Sequence, residues 1–248
     1  MKIQNFLIER GLSEIKSEKK NIEFTKIPIW DIKLNDLNNY SHLFILACIG
    51  DKQLKAERAW KIPMEIGQEI NSYDFKEFEQ LSLKDLKNIF DNKKLHRFNE
   101  KVAKEYFFGI KKISVEYGGI ARKIWENNPN SAVIISRLLE FDGIGQKIAS
   151  MVVNILYRQF KLNITNINWI DISPDVHVVR VFQRTGLIRE NCTKEEIIWR
   201  ARELYSAYPG VFDIAAFKLG REICHKNNPS CKICPLIEAC PIGIINKY

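Results

Sequence analysis

Four of the six cysteines fall within 17 residues near the C-terminal end, in the pattern Cys224-x6-Cys231-x2-Cys234-x5-Cys240. Four thiolates can hold a [4Fe–4S] cluster or a Zn2+ ion. Zinc sites usually contain two short Cys-x2-Cys pairs and this sequence contains one, but spacing alone leaves both metals open. Structural disulfides are disfavoured because the N-terminal residues lack an apolar signal segment. The pattern therefore predicts a metal centre, with the remaining two cysteines as spare thiols.

A second chemical feature is the glycine turn in residues 138–150, which read LLEFDGIGQKIAS. Gly143 and Gly145 allow a tight turn and a close approach of the backbone to another group. The first N–H groups of the helix that follows form an anion site, where a DNA phosphate can bind without sequence recognition. By itself the pattern also fits a plain connection between two helices, with Lys147 as a solvated side chain in the first helical turn.

Asp175 is the third residue of the segment SPDVHVVRV, residues 173–181. An aspartate here can cap the N-terminus of a helix over 176–184. It can also serve as a carboxylate that stabilises developing positive charge or takes part in proton transfer. Both roles are compatible, because the helix N-terminus keeps a carboxylate ionised. We interpret His177 as a structural residue.

Composition and charge limit the class of protein. The chain has 248 residues, 46% of them hydrophobic, and a formal net charge of +8, which favours a polyanionic partner such as nucleic acid. Its longest apolar run, Leu43 to Ile49, is too short to cross a bilayer. The early charges Glu9 and Arg10 argue against a secretion signal. We expect a cytoplasmic protein without a membrane partner.

The spacing of apolar residues predicts mainly helices. Five segments have helical periodicity: 41–49, 98–117, 131–140, 147–158 and 194–207. Residues 21–32 alternate briefly and are compatible with an extended segment. Residues 159–174 have no helical period and are interpreted as a connection that could include a short strand.

The cysteine spacing resembles that of the endonuclease III and adenine-glycosylase branches of the helix–hairpin–helix DNA glycosylases. The resemblance implies a structural [4Fe–4S] cluster, in preference to zinc. It also implies that the loop 225–230 meets DNA phosphates, with Lys226 as its firm positive charge. Residues 141–149 are similar to the family's LPGVGRKTA hairpin, with Phe141-Asp142 in place of Leu-Pro. Lys147 then occupies the position of the lysine nucleophile, which adenine glycosylases lack.

The same resemblance assigns roles to further residues. Asp175 matches the family's essential carboxylate, although the spacing from Lys147 is longer than usual and residues 159–174 hold the extra residues. Gln53 is the best match for a glutamine that fills the space left by a flipped base. Three hairpin residues are implied to contact DNA: Gly143, Gly145 and Gln146.

These observations predict an all-α protein of two lobes. Residues 39–158 would form a helical-barrel lobe that carries the hairpin, and residues 1–38 with 159–248 would form the cluster lobe. The implied function is base-excision repair by a monomeric DNA glycosylase with AP lyase activity. Its partner would be double-stranded DNA with a damaged base, by default an oxidised pyrimidine.

Two alternative functions are compatible with the same residues. The first is a monofunctional glycosylase, in which Asp175 activates water and Lys147 only contacts DNA. Such an enzyme could act on another lesion or mismatch, such as 8-oxoguanine or mismatched thymine or uracil. The second is a non-catalytic DNA-binding module that uses only the hairpin and the basic surface.

Overall fold

The computed structural model describes residues 2–18 and 21–245, and this part of the chain is helical without a named strand. The predicted all-α class is therefore confirmed. The helices are α1 (Ile3–Lys16), α2 (Pro28–Asn35), α3 (Ser41–Ile49), α4 (Ala56–Glu69), α5 (Phe75–Gln80), α6 (Leu83–Lys93), α7 (Asn99–Tyr117), α8 (Ser131–Leu139), α9 (Gln146–Arg158), α10 (Val176–Arg184), α11 (Lys194–Leu204), α12 (Val211–Glu222) and α13 (Pro241–Ile245). Among the described residues, no helix combines the length and apolar character that a membrane span needs.

The chain folds as two compact units. The hairpin unit comprises Lys20–Pro129 and Val133–Ala149, and the cysteine unit comprises Met1–Lys19, Asn130–Ala132 and Ser150–Tyr248. The sequence-based lobes were drawn differently at three places. Residues 20–38 lie in the hairpin unit, and residues 130–132 and 150–158 lie in the cysteine unit, so α9 is divided between the units after Ala149.

The hairpin unit is built around α3, whose nine residues are all buried. A short helix that is apolar on every side can only lie inside a core. It packs on α4 and α7, and α6 packs on α7. A capping box formed by Ser82 and Asp85 fixes the start of α6, and Gly118 ends α7 at a φ of 59°. The Tyr117 ring of α7 stacks on the Phe141 ring with a centroid distance of 6.2 Å, so α7 supports the segment that leads into the glycine turn.

Residues 21–32 are not an extended segment, because α2 begins at Pro28. Proline suits the first turn of a helix, since its fixed φ is helical and its missing N–H is not needed there. Within α2, the buried Asp31 carboxylate accepts hydrogen bonds from the preceding Thr25, from its N–H at 2.8 Å and from its hydroxyl at 2.7 Å. The Phe24 ring packs 4.2 Å from the Trp60 ring, which anchors this segment in the hairpin unit.

The cysteine unit depends on close helix crossings at glycine. α1 and α12 meet at Gly11, where an added Cβ would collide with the backbone oxygen of Val211. α10 and α12 meet at Gly220, where a Cβ would lie 2.9 Å from the His177 Cβ. Small residues at these crossings let the helices approach closely. α10, which begins at the candidate carboxylate, is thereby fixed against α12.

The connection 159–174 is packed into the cysteine unit by backbone hydrogen bonds. The Gly210 N–H donates to the Ile170 carbonyl at 2.7 Å, and the Asn154 side chain donates to the Asp171 carbonyl at 2.9 Å. In this connection the only bridge is an isolated one, between Asn130 and Thr165, so the short strand does not form. Asn154 lies on α9, which explains why the later part of α9 belongs to this unit.

The core histidine His42 predicts a pH-dependent stability. It is 2% exposed, and burial lowers its pKa to about 4. As the pH falls from 6.5 towards 4, the unfolded chain binds a proton that the folded chain does not, so the fold loses stability. The loss at pH 4.5 should be about 2 to 3 kcal/mol. Thermal melts at pH 7 and 4.5 should show a smaller shift in His42→Gln than in the wild type. Equal shifts would contradict this assignment.

Candidate active site and cysteine centre

The hairpin that precedes α9 contains one glycine with a backbone requirement. Gly143 has a φ of 101°, a conformation that side chains strongly disfavour. An added Cβ would also lie 2.9 Å from the Lys52 Nζ and 3.2 Å from the Glu105 Oε2. Gly145 differs, because a Cβ there would meet nothing within 4 Å. The outer side of the turn is thus open at Gly145, while the inner side is closed at Gly143.

Lys147 lies at the start of the helix that follows this hairpin. The Ala149 N–H donates to the Gly145 carbonyl at 2.9 Å, which closes the first turn of α9. Lys147 is the second residue of the helix, and its side chain is 39% exposed. In this position its own backbone N–H precedes the first intrahelical hydrogen bonds. A helix N-terminus of this kind favours a bound anion.

An acidic residue that the sequence did not single out faces Lys147. The Asp51 Oδ2 lies 3.7 Å from the Lys147 Nζ, and the Asp51 side chain is only 13% exposed. Asp51 follows the end of α3 and belongs, like Lys147, to the hairpin unit. In the sequence, the indication for Asp51 was its position two residues before Gln53, in the segment matched to the family. Its pairing with Lys147 could not be deduced from the spacing of the two residues.

Two other predicted DNA-contacting residues of the hairpin unit are exposed. Gln53 has a φ of 51° and lies in the loop between α3 and α4. Gln146 is the first residue of α9. Both positions are open to solvent, and their roles in DNA binding stay predictions.

Asp175 caps α10. Its Oδ1 accepts hydrogen bonds from the backbone N–H groups of His177 at 2.9 Å and Val178 at 2.8 Å. The side chain is half-buried, and the backbone is extended at this residue. The predicted helix cap is confirmed. Asp171, another acidic residue near it in sequence, is buried and forms a bidentate ion pair with Arg202 at 2.7 and 2.8 Å.

His177 lies in a packed environment. Its ring is 5.5 Å from the Phe217 ring, and its Nδ1 is 3.0 Å from the Arg180 Nη2. Arg180 also donates to the backbone oxygens of Gly220 and Cys224, each at 2.6 Å. These contacts connect the start of α10 to the segment that carries the first cysteine of the cluster.

The four clustered cysteines line one cavity, together with apolar side chains that include Leu219, Ile223 and Leu236. The cavity is partly open to solvent. Its cysteines are Cys224, Cys231, Cys234 and Cys240. The six cysteines all lie in the part of the chain that the structure describes, and none of them forms a disulfide. The shared cavity brings together the donor set that the spacing predicts.

Arginines of α10 support the cysteine loop. The Arg184 guanidinium lies 3.5 Å from the Cys224 Sγ and donates to the backbone oxygens of His225 at 2.5 Å and Lys226 at 2.7 Å. The Cys240 Sγ in turn lies 3.3 Å from the Arg184 backbone oxygen. The Lys226 side chain is exposed on this loop, and its contact with DNA stays a prediction.

Four thiols are a ligand set that both a [4Fe–4S] cluster and a zinc ion take. In the described ranges 2–18 and 21–245, no three Cys, His, Asp or Glu side chains are arranged so that they could hold one metal ion. Zinc would need all four sulfurs at about 2.3 Å from one ion, whereas a [4Fe–4S] cluster binds each sulfur to a separate iron. Burial and the neighbouring thiolates raise the pKa of Cys234, and bound metal would offset this by stabilising the thiolate.

The other two cysteines lie apart from this cavity. Cys48 is fully buried in α3, and burial followed by the Asp51 charge raises its pKa well above the usual value. Such a thiol is unreactive at neutral pH. Cys192 is half-exposed and accepts a weak contact from the Gln183 amide at 3.7 Å.

The two proposed catalytic side chains come from different units. Lys147 belongs to the hairpin unit and Asp175 to the cysteine unit. The structure brings Lys147 together with Asp51, and it brings the four cysteines together. The pairing of Lys147 with Asp175 stays a prediction.

Comparison with known proteins gives relatives in sequence and in fold. No family model matches the chain. It is 30% identical to an endonuclease III of Rickettsia prowazekii (strain Madrid E) over 106 residues, 42% of this chain and 44% of that protein. It is 33% identical to an adenine DNA glycosylase of Schizosaccharomyces pombe (strain 972) over 103 residues, 40% of this chain and 20% of that protein. The matches thus span less than half the length of these curated relatives.

The similarity in fold extends much further. The structure of a trapped endonuclease III–DNA covalent intermediate matches with a TM-score of 0.64 and 16% identity, over 98% of this chain and 97% of that one. At this identity the match establishes the fold alone. The resemblance of this chain to the helix–hairpin–helix DNA glycosylase superfamily is therefore confirmed, in sequence over less than half of the chain and in fold over nearly all of it.

Proposed function

We propose that this protein is a base-excision-repair DNA glycosylase with AP lyase activity, and that Lys147 is its nucleophile. The observation that carries the proposal is the position of Lys147. It is a partly exposed lysine in the first turn of α9, directly after a glycine hairpin that is open to a ligand at Gly145. A DNA phosphate at this helix N-terminus would place the sugar-phosphate backbone beside an amine.

Lysine chemistry accounts for both activities. The neutral amine attacks the sugar C1′, the C1′–base bond breaks, and its electrons leave with the base, which takes up a proton. The new C1′–nitrogen then loses a proton and its lone pair expels O4′, which takes up that proton as the C1′–O4′ bond breaks and the sugar ring opens. The resulting iminium acidifies C2′, so a C2′ proton can be removed and the 3′ phosphate is expelled by β-elimination. The nucleotide must leave the base stack for this attack. The net charge of +8 supports binding to the polyanionic duplex.

Asp175 is proposed as the carboxylate that stabilises the positive charge developing on the sugar. Its Oδ1 is occupied by two backbone N–H groups of α10, which fix the orientation of the carboxylate. The negative charge is also favoured at this helix N-terminus. In this proposal, the same orientation of the Asp175 carboxylate caps α10 and faces the charge on the sugar.

The four clustered cysteines are proposed to hold a [4Fe–4S] cluster. Once bound, the cluster would act as a structural crosslink of the C-terminal loop. The arginine contacts from α10 hold the loop that carries Cys224, so a cross-linked loop would in turn steady α10.

The proposed substrate class rests on the proteins that this chain is similar to. Endonuclease III and an adenine DNA glycosylase are both among the sequence relatives. The presence of Lys147 favours the endonuclease III type of chemistry, and we propose an oxidised pyrimidine as the damaged base.

The test is sodium borohydride trapping on duplexes that each contain one defined lesion. A covalent protein–DNA adduct with an oxidised pyrimidine supports the full proposal. Base release without an adduct would favour a monofunctional enzyme, and no base release from any lesion would favour a DNA-binding module. Trapping with 8-oxoguanine or mismatched thymine or uracil would keep the mechanism and overturn the substrate.

Gly145 tests whether the hairpin backbone approaches DNA. Gly145→Ala should fold normally, because its backbone is not left-handed and an added Cβ meets nothing within 4 Å. The methyl group would nevertheless stand between the turn and a bound phosphate. We expect duplex affinity to fall about tenfold, equivalent to about 1.4 kcal/mol, in fluorescence anisotropy titrations. Unchanged affinity would exclude a phosphate at this turn.

Asp175→Asn tests the carboxylate separately from the cap. Asparagine caps helices well, so the melting temperature should change little. Loss of the negative charge should lower single-turnover base excision by about 100- to 1000-fold, as expected when one preorganised electrostatic contact is removed. Asp175→Ala, which removes cap and charge together, should in addition lower the melting temperature. Full activity in Asp175→Asn would leave Asp175 with only its structural role.

A further inference from the structure

The loop after α3 presents two successive charged residues to the hairpin. The Asp51 Oδ2 lies 3.7 Å from the Lys147 Nζ. The next residue, Lys52, pairs through its Nζ with the Glu105 Oε2 at 2.6 Å. The Lys52 carbonyl is held by the His96 Nε2 at 3.0 Å. The loop is therefore fixed at Lys52, directly after Asp51, while the Asp51 N–H donates to the Cys48 carbonyl of α3 at 3.2 Å.

The environment makes the contact between Asp51 and Lys147 more than a surface ion pair. Surface pairs contribute little because both charges are well solvated. The Asp51 side chain is only 13% exposed, while the Lys147 side chain is 39% exposed. An ammonium group near a helix N-terminus also meets an unfavourable dipole. A nearly buried carboxylate beside it compensates for that dipole and restrains the amine.

We propose that Asp51 positions Lys147 and accepts its proton when the amine attacks the sugar. This inference rests on the proposed function, since it concerns the same nucleophile. A lysine held only by solvent would need bulk water or hydroxide to take its proton. A carboxylate within reach of Nζ, directly or through one water molecule, can take it inside the site.

The proposed step moves one proton from Lys147 to Asp51 and replaces one bond at C1′ by another. An Nζ–H bond of the Lys147 ammonium breaks, its proton moves to a carboxylate oxygen of Asp51, and the electron pair stays on Nζ. That pair forms the Nζ–C1′ bond while the C1′–base bond breaks. The electrons of the broken bond leave with the base, which takes a proton from solvent. Asp51 later releases its proton to solvent and returns to the carboxylate form.

The other titratable groups around Asp51 are poorly suited to this step. Burial and the Asp51 charge keep the pKa of the Cys48 thiol well above its usual value, so the thiol stays protonated. Burial lowers the pKa of His96, and its Nε2 is engaged with the Lys52 carbonyl. The Glu105 carboxylate is paired with Lys52. Among these groups, Asp51 is the carboxylate that lies beside Lys147.

The experiment measures the rate of borohydride trapping on abasic duplex DNA under single-turnover conditions from pH 6 to 9. Abasic DNA presents the reactive C1′ without requiring recognition of a lesion. Four proteins are compared: the wild type, Asp51→Asn, Asp51→Glu and Glu69→Gln. The last is a matched control, because Glu69 pairs with Lys93 at 2.9 Å elsewhere in the hairpin unit.

In Asp51→Asn, trapping at pH 7 should slow by on the order of 100-fold, the usual contribution of a positioned base. The affinity for abasic duplex should hardly change. The defect should shrink as the pH rises, because hydroxide then removes the proton. Asp51→Glu should recover part of the rate, and Glu69→Gln should match the wild type.

Three results would overturn the inference. Asp51→Asn could trap as fast as the wild type, or faster, which would mean that the ion pair only holds the lysine charged. It could instead trap slowly by the same factor at every pH, which would reduce Asp51 to a structural role. If the wild type itself fails to trap abasic DNA, the proposed lyase function is wrong and this inference falls with it.

Discussion

Lys147→Gln is expected to abolish strand cleavage and borohydride trapping while leaving DNA binding nearly intact. Glutamine has no amine to form the bond with C1′, so no imine can arise. The hairpin contacts with DNA are expected to involve mainly backbone N–H groups of the turn and of α9, which the substitution does not remove. The measurement is adduct formation on gels, with affinity for the same lesion duplex measured in parallel.

The matched control for this experiment is Lys104→Gln. Lys104 is a half-exposed lysine of the hairpin unit, paired with Glu100 at 3.4 Å, and its substitution also removes one positive charge. It should retain trapping. If Lys147→Gln still forms the adduct at the wild-type rate, another amine is the nucleophile. If Lys147→Gln no longer binds DNA, its loss of activity cannot be assigned to chemistry, and the binding result contradicts the backbone mode of contact.

Cys234→Ser is expected to cause the largest loss of stability. Bound metal stabilises only the folded state, so losing one ligand removes several kcal/mol of stability. The wild type should be brown, with broad absorbance in the blue and about four irons per chain. The variant should be colourless or poorly folded, as iron analysis and thermal melts would show.

Cys192→Ser is the control for the cluster prediction. Cys192 is half-exposed and lies outside the cavity that the four clustered cysteines share. Its iron content and melting temperature should match those of the wild type. One zinc per chain and no iron in the wild type would overturn the [4Fe–4S] assignment. Equal iron content in Cys234→Ser and wild type would remove Cys234 from the ligand set.

Features defined by neighbouring residues could be predicted from the sequence. The glycine turn with Lys147 directly after it, the Asp175 cap of α10 and the four-cysteine spacing are all local patterns. Each depends on backbone geometry over a few residues, where one glycine, one capping side chain or one ligand spacing decides the outcome. The buried helix α3 was likewise recognisable from its continuous apolar run.

Predictions from the sequence were wrong where contacts between distant residues determine the local structure or the unit boundary. Residues 21–32 alternate as an extended segment would, but Pro28 and the bonds from Thr25 to the buried Asp31 carboxylate set a helix start instead. The boundary between the units also fell elsewhere than predicted. It follows the aromatic contact of Phe24 with Trp60 and the hydrogen bond from Asn154 to the Asp171 carbonyl. Such contacts join residues that are far apart in the sequence, and the spacing of apolar residues does not indicate them.

The residues alone thus determined the chemical inventory of this protein: a lysine after a hairpin, a capping aspartate and four clustered thiols. Only the tertiary structure decided which charge stands beside the lysine. Asp51 reaches Lys147 because α3 is buried, because the loop after it is fastened by His96 and Glu105, and because Gly143 leaves room for that loop. An ion pair between residues far apart in sequence depends on packing, and packing is a property of the whole hairpin unit.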